Sequence, residues 1–385
     1  MGAYSIVRVA RAVTAAAAGL AVIAGCGPGH LASPARPAGS GAARATGLVP
    51  RGPVSFGPLD ASFISGSAGW MLGLALTGRQ RLELYKTVDG GRRWAALPAP
   101  PASWRWHQGT AQPNGVSGVT FADARNGWLY GPGLWASHDG GMTWHRLAVH
   151  GAQVDSVQAD GGRVLAAFTV CPGQCRSGRA RFAVYRPAAG RDDWRPVAGA
   201  AGLGFGRVAL TGPDGYALGA QTYGSGTGLV AGPVSAPSRW QHRPVPCGHA
   251  YFPAAIAASQ AGLVLACNQP PGAHPVQVRE YRSADGGRSW HQLTPLSLQD
   301  GAGMLTITPA GMIIISGMYN GLLISRDNGR AWHSVPEVDN TDAIGGGSLI
   351  TAAMTGNRLG FAIAQTSRAW LTPDGGRTWN PVSIP

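Results

Sequence analysis

The chain has 385 residues, longer than a typical single domain, yet repeat architectures and all-β folds run this long as one unit, so one domain is expected. Lys and Arg outnumber Asp and Glu by 31 to 18, for a formal net charge of +13, and the cations are nearly all Arg. Such a chain meets anionic surfaces, phospholipid headgroups or anionic wall polymers, and the export signal described next excludes nucleic acid; Arg enrichment also follows from GC-rich codon usage, so composition alone chooses no ligand.

Arg8 and Arg11 precede an uncharged run from Ala12 to Gly25 dominated by Ala, Val, Leu and Ile. A spanning helix needs about 20 apolar residues; this run is shorter and enters a Gly/Pro-rich segment, as the core of a signal peptide does. Residues 1–25 are therefore expected to be removed. Ile23-Ala24-Gly25-Cys26 resembles the bacterial lipobox, which implies acylation of Cys26 and a tether at the outer leaflet of the cytoplasmic membrane or the cell envelope. An ordinary signal peptide beside a free cysteine is the alternative. Residues 26–53, rich in Gly, Ala, Pro, Ser and Arg, read as a flexible linker.

From residue 54 to 385 one phrase recurs. Thr87-Val-Asp89-Gly-Gly-Arg-Arg-Trp94, Ser137-His-Asp139-Gly-Gly-Met-Thr-Trp144, Ser283-Ala-Asp285-Gly-Gly-Arg-Ser-Trp290, Ser325-Arg-Asp327-Asn-Gly-Arg-Ala-Trp332 and Thr372-Pro-Asp374-Gly-Gly-Arg-Thr-Trp379 share the template Ser/Thr-x-Asp-x-Gly-x-x-Trp. The Asp can accept hydrogen bonds from N–H groups of a tight turn, the Gly takes positive φ cheaply, and the Trp opens the returning strand and buries a large face between sheets. Two further tryptophans, in Arg191-Asp-Asp-Trp194 and Ser238-Arg-Trp240, close degenerate copies. The intervals between successive tryptophans are then 50, 50, 46, 50, 42 and 47 residues, close to the length of a propeller blade.

These five phrases resemble the Asp-box, or bacterial neuraminidase repeat, which sialidases, xyloglucanases and photosystem II assembly factors share, and the stretch FADARNGWLYGPGLWASHDGGMTWHRL is most similar to the assembly-factor branch. The resemblance implies an all-β, seven-bladed β-propeller with four antiparallel strands per blade; six blades follow if one degenerate copy is an insertion. The expected blades cover residues 54–98, 113–148, 152–198, 205–246, 252–295, 303–336 and 345–385. In the family the box joins the third and fourth strands of a blade, and ligands meet the opposite face. That order places Trp104, Arg105, Trp106, His107, Tyr223, His249, Tyr251, His274, Tyr319, Asp339 and Asp342 in opposite-face loops, where aromatics beside polar groups suit a carbohydrate or a peptide. It also favours pairing Cys171 with Cys175 and Cys247 with Cys267 among three possible connectivities, since each pair approaches one face. A zinc site built on the Cys171–Cys175 spacing lacks a second pair, and neither metal nor cofactor is expected.

A sialidase-type glycoside hydrolase must supply an Arg-Ile-Pro signature, an arginine triad, an Asp acid/base and a Tyr nucleophile assisted by Glu. Tyr185-Arg186-Pro187 is the closest approach and is misplaced, Glu83 and Glu280 fall in third strands, and Glu337 follows an outer strand. Asp339 and Asp342 could flank a bond, but a polar loop explains them better. The expected function is a monomeric, lipid-anchored, non-catalytic scaffold for an envelope protein, a peptide or an anionic or carbohydrate polymer, with the sialidase-like enzyme as the alternative.

Overall fold

Each repeat folds into its own antiparallel sheet. The computed structural model describes residues 56–77, 81–103, 115–131, 133–148, 152–170, 181–187, 192–197, 205–220, 228–248, 250–270, 275–298, 301–317, 321–338, 349–364 and 368–382. The first blade is β1 (Phe56–Phe63), β2 (Gly69–Ala75), β3 (Leu82–Thr87) and β4 (Ala95–Leu97), and the second is β5 (Gly118–Phe121), β6 (Gly127–Tyr130), β7 (Leu134–Ser137) and β8 (His145–Arg146). The third comprises β9 (Ala152–Asp160), β10 (Arg163–Val170), β11 (Arg181–Pro187) and β12 (Trp194–Pro196), and the fourth β13 (Phe205–Thr211), β14 (Asp214–Ala220), β15 (Gly228–Pro233) and β16 (Gln241–Arg243). The fifth holds β17 (Phe252–Ser259), β18 (Gly262–Asn268), β19 (Val276–Ser283) and β20 (His291–Gln292), with β21 (Leu296–Leu298) added on the far end of β19. The sixth is β22 (Met304–Ile307), β23 (Ile313–Ser316), β24 (Leu322–Ser325) and β25 (His333–Ser334), and the seventh β26 (Leu349–Thr355), β27 (Leu359–Ala364), β28 (Arg368–Thr372) and β29 (Asn380–Pro381). The fold is a seven-bladed β-propeller in which every sheet is drawn from one repeat.

The first strands touch one another in order, β1 with β5, β5 with β9, and so on to β22 with β26, and β26 meets β1. They therefore line the axis. Four of them, β1, β9, β17 and β26, slip register by one residue, a bulge that bends the strand and strengthens its twist. Second strands are apolar on both sides: all seven residues of β2 and all six of β27 are buried. The reason is geometric. Trp70, Leu72 and Leu74 pack toward Val119, Phe121 and Leu129 of the second blade, while Met71 packs the other way, onto Phe361, Ile363 and Leu371 of the seventh.

The core is consequently a set of seams between blades. The last seam closes the ring without an exchanged strand, through apolar packing between the first and seventh blades and a hydrogen bond from Thr355 Oγ1 to the Phe63 carbonyl at 3.1 Å. Outward, the blades diverge and their fourth strands shrink to two or three residues. This changes the expected role of the box tryptophans. Trp94, Trp240 and Trp379 are buried, but Trp144, Trp194, Trp290 and Trp332 are half-buried, because at that radius the seam opens to solvent.

Trp70 is fully buried, stacks on Phe121 with centroids 3.7 Å apart, and donates its indole N–H to the Gly140 carbonyl at 2.9 Å. Trp70→Ala should cost about 3–5 kcal/mol, the range for a large buried aromatic, whereas Trp290→Ala, only partly buried, should cost less, in proportion to the ring area it leaves in solvent. Urea unfolding of the two variants checks the ranking; equal losses would contradict it.

Candidate functional site

The box side of the disc is occupied by turn chemistry. In each of the five intact boxes the Ser or Thr hydroxyl donates to its Asp, for example Ser137 Oγ to Asp139 Oδ1 at 2.9 Å, and accepts the N–H of the glycine two residues past that Asp, here Gly141, at 2.8 Å. The same carboxylate accepts the N–H of the residue before the Trp, as from Thr143 at 2.9 Å. The Thr143 and Ser289 hydroxyls, with those N–H groups, hold Asp139 and Asp285 far below the ordinary carboxylate range. That glycine sits at positive φ and faces the preceding blade: a Cβ on Gly91, at φ +86°, would lie 2.1 Å from Leu371. These groups are all engaged, so the boxes are structural elements.

On the axial strands two carboxylates face inward, and both are latches between blades. Asp60 accepts the N–H groups of Ala61 and, across the seam, Val119, each at 2.9 Å. Asp155 accepts the Thr169 hydroxyl at 2.6 Å and the N–H of Gly206 in the next blade at 3.2 Å. Burial outweighs these bonds and pushes Asp60 up to about 7 and Asp155 up to about 6. Tyr130, near Asp60, is raised by burial and by that charge. The glycosidase alternative asks for two carboxyls free to flank one bond, and these two are committed to backbone donors.

The described part of the face opposite the boxes is most developed at the fifth blade. Cys247, in the connection entering that blade, is disulfide-bonded to Cys267 near the end of β18. β21 pairs with β19 over Val276 to Val278 and widens the same end of the sheet. Asn268 clamps the departing chain, donating to the Ala302 carbonyl at 3.2 Å and accepting the Ala302 N–H at 2.9 Å. On this stiffened end the Arg279 guanidinium lies over the Tyr251 ring, 4.2 Å from its centroid. A cation held against a phenol ring presents charge, a π-face and a hydroxyl together.

Of the opposite-face candidates, Tyr251 is thus placed at that end. Trp104, Arg105, Trp106, His107, Tyr223, His249, His274, Tyr319, Asp339 and Asp342 lie outside the described residues, as do Cys26, Cys171 and Cys175. Three features escaped sequence reasoning: Arg279 over Tyr251, the latches Asp60 and Asp155, and a convergence of His138, His145 and Asp192 at the outer rim of the second and third blades, the set of metal-competent donors that the described residues bring together. A groove of about 630 Å³ also lies on the box side between the fifth and sixth blades, lined by Arg282, Trp290, His291, Asn328 and Arg330 among others. Its Arg282 is occupied, donating to the Ala261 carbonyl and to Asn328.

The BNR/Asp-box repeat model matches residues 135–146. A search of curated proteins found no match. Among solved structures the chain is similar to "YCF48 bound to D1 peptide", with 19% identity and a TM-score of 0.55 over 84% of this chain and 94% of that one. It is also similar to YCF48 from Cyanidioschyzon merolae, with 17% identity and a TM-score of 0.53 over 84% and 95%. The β-propeller domain of the Trilobed protease from Pyrococcus furiosus aligns at 6% identity and a TM-score of 0.50 over 86% and 98%. At these identities the likeness is one of fold.

Glu280 is fully buried between the fifth and sixth blades with both carboxyl oxygens unpartnered, and burial pushes it up to about 8. With Asp60 and Asp155 also raised, the folded chain keeps protons that the unfolded chain releases, so these groups stabilise most below about pH 4 and that stability is lost as pH rises toward about 8. The depressed box aspartates act oppositely and weaken the fold below about pH 4. The melting temperature should therefore peak near about pH 5 and decline toward pH 8, with a shallower decline in Glu280→Gln. Thermal melts across this range check it; a rise from pH 5 to 8 would refute the assignment.

Proposed function

We propose that this Asp-box propeller is a non-catalytic scaffold that holds an extended peptide or protein segment on the face opposite its boxes, and that a lipid on Cys26 tethers it to the outside of the cytoplasmic membrane. The observation that carries the reading is the fifth-blade end, where a disulfide, an added strand and the Asn268 clamp fix Tyr251 and Arg279. A rigid aromatic and an Arg presented together are the side chains that dominate binding energy at protein interfaces. The fold likeness to a propeller solved with a peptide supports the class of ligand, and the basic balance of the chain favours an acidic or mixed-charge segment. The inner carboxylates, committed to backbone latches, support binding over hydrolysis.

No helix among the described residues is long and apolar enough to cross a membrane, so attachment rests on the N-terminal segment. One acyl chain holds a protein only marginally, whereas two or more hold it stably.

Panning a displayed random-peptide library on the full chain should enrich binders whose affinity falls at least tenfold, or about 1.4 kcal/mol, in Tyr251→Ala or Arg279→Ala, and stays unchanged in the box-side variant Arg330→Ala. Turnover of a fluorogenic sialoside, or binders indifferent to both face variants, would refute the scaffold. For the tether, Cys26→Ser should move the protein from the membrane fraction to the medium in an expressing bacterium and abolish incorporation of labelled fatty acid; retention with label intact would remove Cys26 as the anchor.

A further inference from the structure

At the rim between the second and third blades, three donors meet. His138 belongs to the second box, His145 opens β8 just after Trp144, and Asp192 lies in the degenerate third repeat, two residues before Trp194. His138 Nε2 stands 2.9 Å, and His145 Nε2 2.5 Å, from the same oxygen, Asp192 Oδ2. The two imidazoles converge with centroids 5.5 Å apart. Both histidine side chains are about half exposed, at 42% and 52%, while the Asp192 side chain is 13% exposed and its Oδ1 is buried without a partner. An ion can reach the two rings from solvent and find a sunken carboxylate behind them.

The hydrogen bonds around His138 fix its orientation. Asn126 Nδ2 donates to Asp123 Oδ2 at 2.8 Å, which fixes the amide and turns Asn126 Oδ1 toward His138 Nδ1, 2.7 Å away. An amide oxygen only accepts, so Nδ1 carries the hydrogen. In a neutral ring Nε2 then bears a lone pair, aimed at a carboxylate lone pair. Either a second proton on the ring, which makes an imidazolium–carboxylate pair, or a metal cation seated between the two groups resolves that contact. The relay Asp123, Asn126, His138 is also the outer shell that metal-bound histidines use to fix their tautomer.

Four of the other seams, those between intact boxes, act as internal controls, since the same three positions recur in them. They hold Ala284, His291 and Arg330 between the fifth and sixth blades, and Arg326, His333 and Arg377 between the sixth and seventh. They hold Val88, Ala95 and Met142 between the first and second, and Pro373, Asn380 and Arg92 between the seventh and first. Each of these has at most one ligand, and the two that have a histidine oppose it with arginine. Between the second and third blades all three positions are ligands, and the arginine is replaced by an aspartate.

We propose that His138 Nε2, His145 Nε2 and the Asp192 carboxylate bind a divalent transition-metal ion of the zinc class, which staples the second blade to the third and leaves at least one coordination position open to water or to a donor from a partner. Two imidazoles and one carboxylate with an open position form a donor set zinc accepts, at bond lengths of about 2.0–2.2 Å. In a tetrahedral site those lengths put ligand atoms about 3.3 Å apart, so the exposed rings need to withdraw by less than about 1 Å from Asp192. The site is separate from the peptide-binding reading and stands or falls without it.

The test uses the full chain, purified with its anchor in detergent and stripped with a chelator, titrated with Zn²⁺ alone against a chromophoric competitor. One high-affinity zinc per chain is expected, with a rise in melting temperature on saturation. His138→Gln, His145→Gln and Asp192→Asn should each weaken binding at least tenfold, and Asn126→Leu, which touches no ion, by about 10–100-fold. His291→Gln and His333→Gln should leave it unchanged. Co²⁺ should give the intense visible bands of a four-coordinate site in the parent and lose them in His145→Gln, whose exposed side chain makes that variant safe for folding. A parent chain that binds no zinc would reduce the cluster to a hydrogen-bonded latch and overturn the proposal. Zinc binding indifferent to His138, His145 and Asp192 would place the ion elsewhere and overturn it equally.

Discussion

Burial of one sheet's face against the next is the contact on which this molecule depends. A single blade of a repeat fold cannot bury its own apolar faces and needs its neighbours to do so, and each second strand here is apolar on both sides because it must satisfy two neighbours at once. Seven such seams close on themselves, and the last, between Phe361 and Ile363 on one side and Phe56 and Met71 on the other, is made of the same material as the rest. No strand is traded across it. Closure is thus a matter of packing, and the exposed edges are reduced to fourth strands of two or three residues.

The same constraint divides labour between the two faces. Where the box turns lie, the backbone enters left-handed conformations at paired positions, and Asn328 at φ 64° is the one non-glycine doing so among the described residues. Each turn is locked by a hydroxyl, a carboxylate and a glycine that touches the neighbouring blade, so the box side transmits rigidity and has few groups to spare. Among the described residues the opposite ends of the blades carry no such repeated device. There the fifth blade adds its own: a disulfide closing a separation of 20 residues and an Asn clamp. Rigidity imposed locally is what a binding surface needs for preorganisation. The axial carboxylates belong to the first kind of group, since Asp60 and Asp155 stitch neighbouring inner strands through backbone N–H groups.

Architecture was legible in the sequence because the box is a complete local device. Hydroxyl, carboxylate, positive φ and tryptophan all fall within eight residues, and the tryptophan spacing survived even where Arg191-Asp-Asp-Trp194 and Ser238-Arg-Trp240 had lost the other parts. The opposite face was less legible. Tyr251 could be assigned a side from strand order, but Arg279 reads as an exposed position of an alternating strand, and nothing local says that it lies over that ring. The latches were invisible for the same reason at greater range: Asp60 meets a donor 59 residues away and Asp155 one 51 residues away. Metal reasoning that looked to cysteine spacing missed His138, His145 and Asp192, whose separations of seven and 47 residues match no local ligand pattern and become neighbours only when adjacent blades pack.

Degenerate repeats deserve a physical reading of their own. A side chain in an intact box is held by the turn it builds, and its charge is spent there, as the depressed Asp139 and Asp285 show. When a repeat loses its hydroxyl, its carboxylate and the glycine that touches the neighbouring blade but keeps its tryptophan, the seam still buries its apolar face, so the fold survives, and the remaining polar residues are released from turn closure. Asp192 is such a residue. It stands where four of the five intact boxes carry arginine, and its reversed charge faces two histidines contributed by a box that is intact and therefore rigid. One blade supplies geometric precision and its neighbour supplies chemical freedom. In a ring of near-identical seams, that combination is what lets a single seam differ in chemistry without disturbing the packing of the other six.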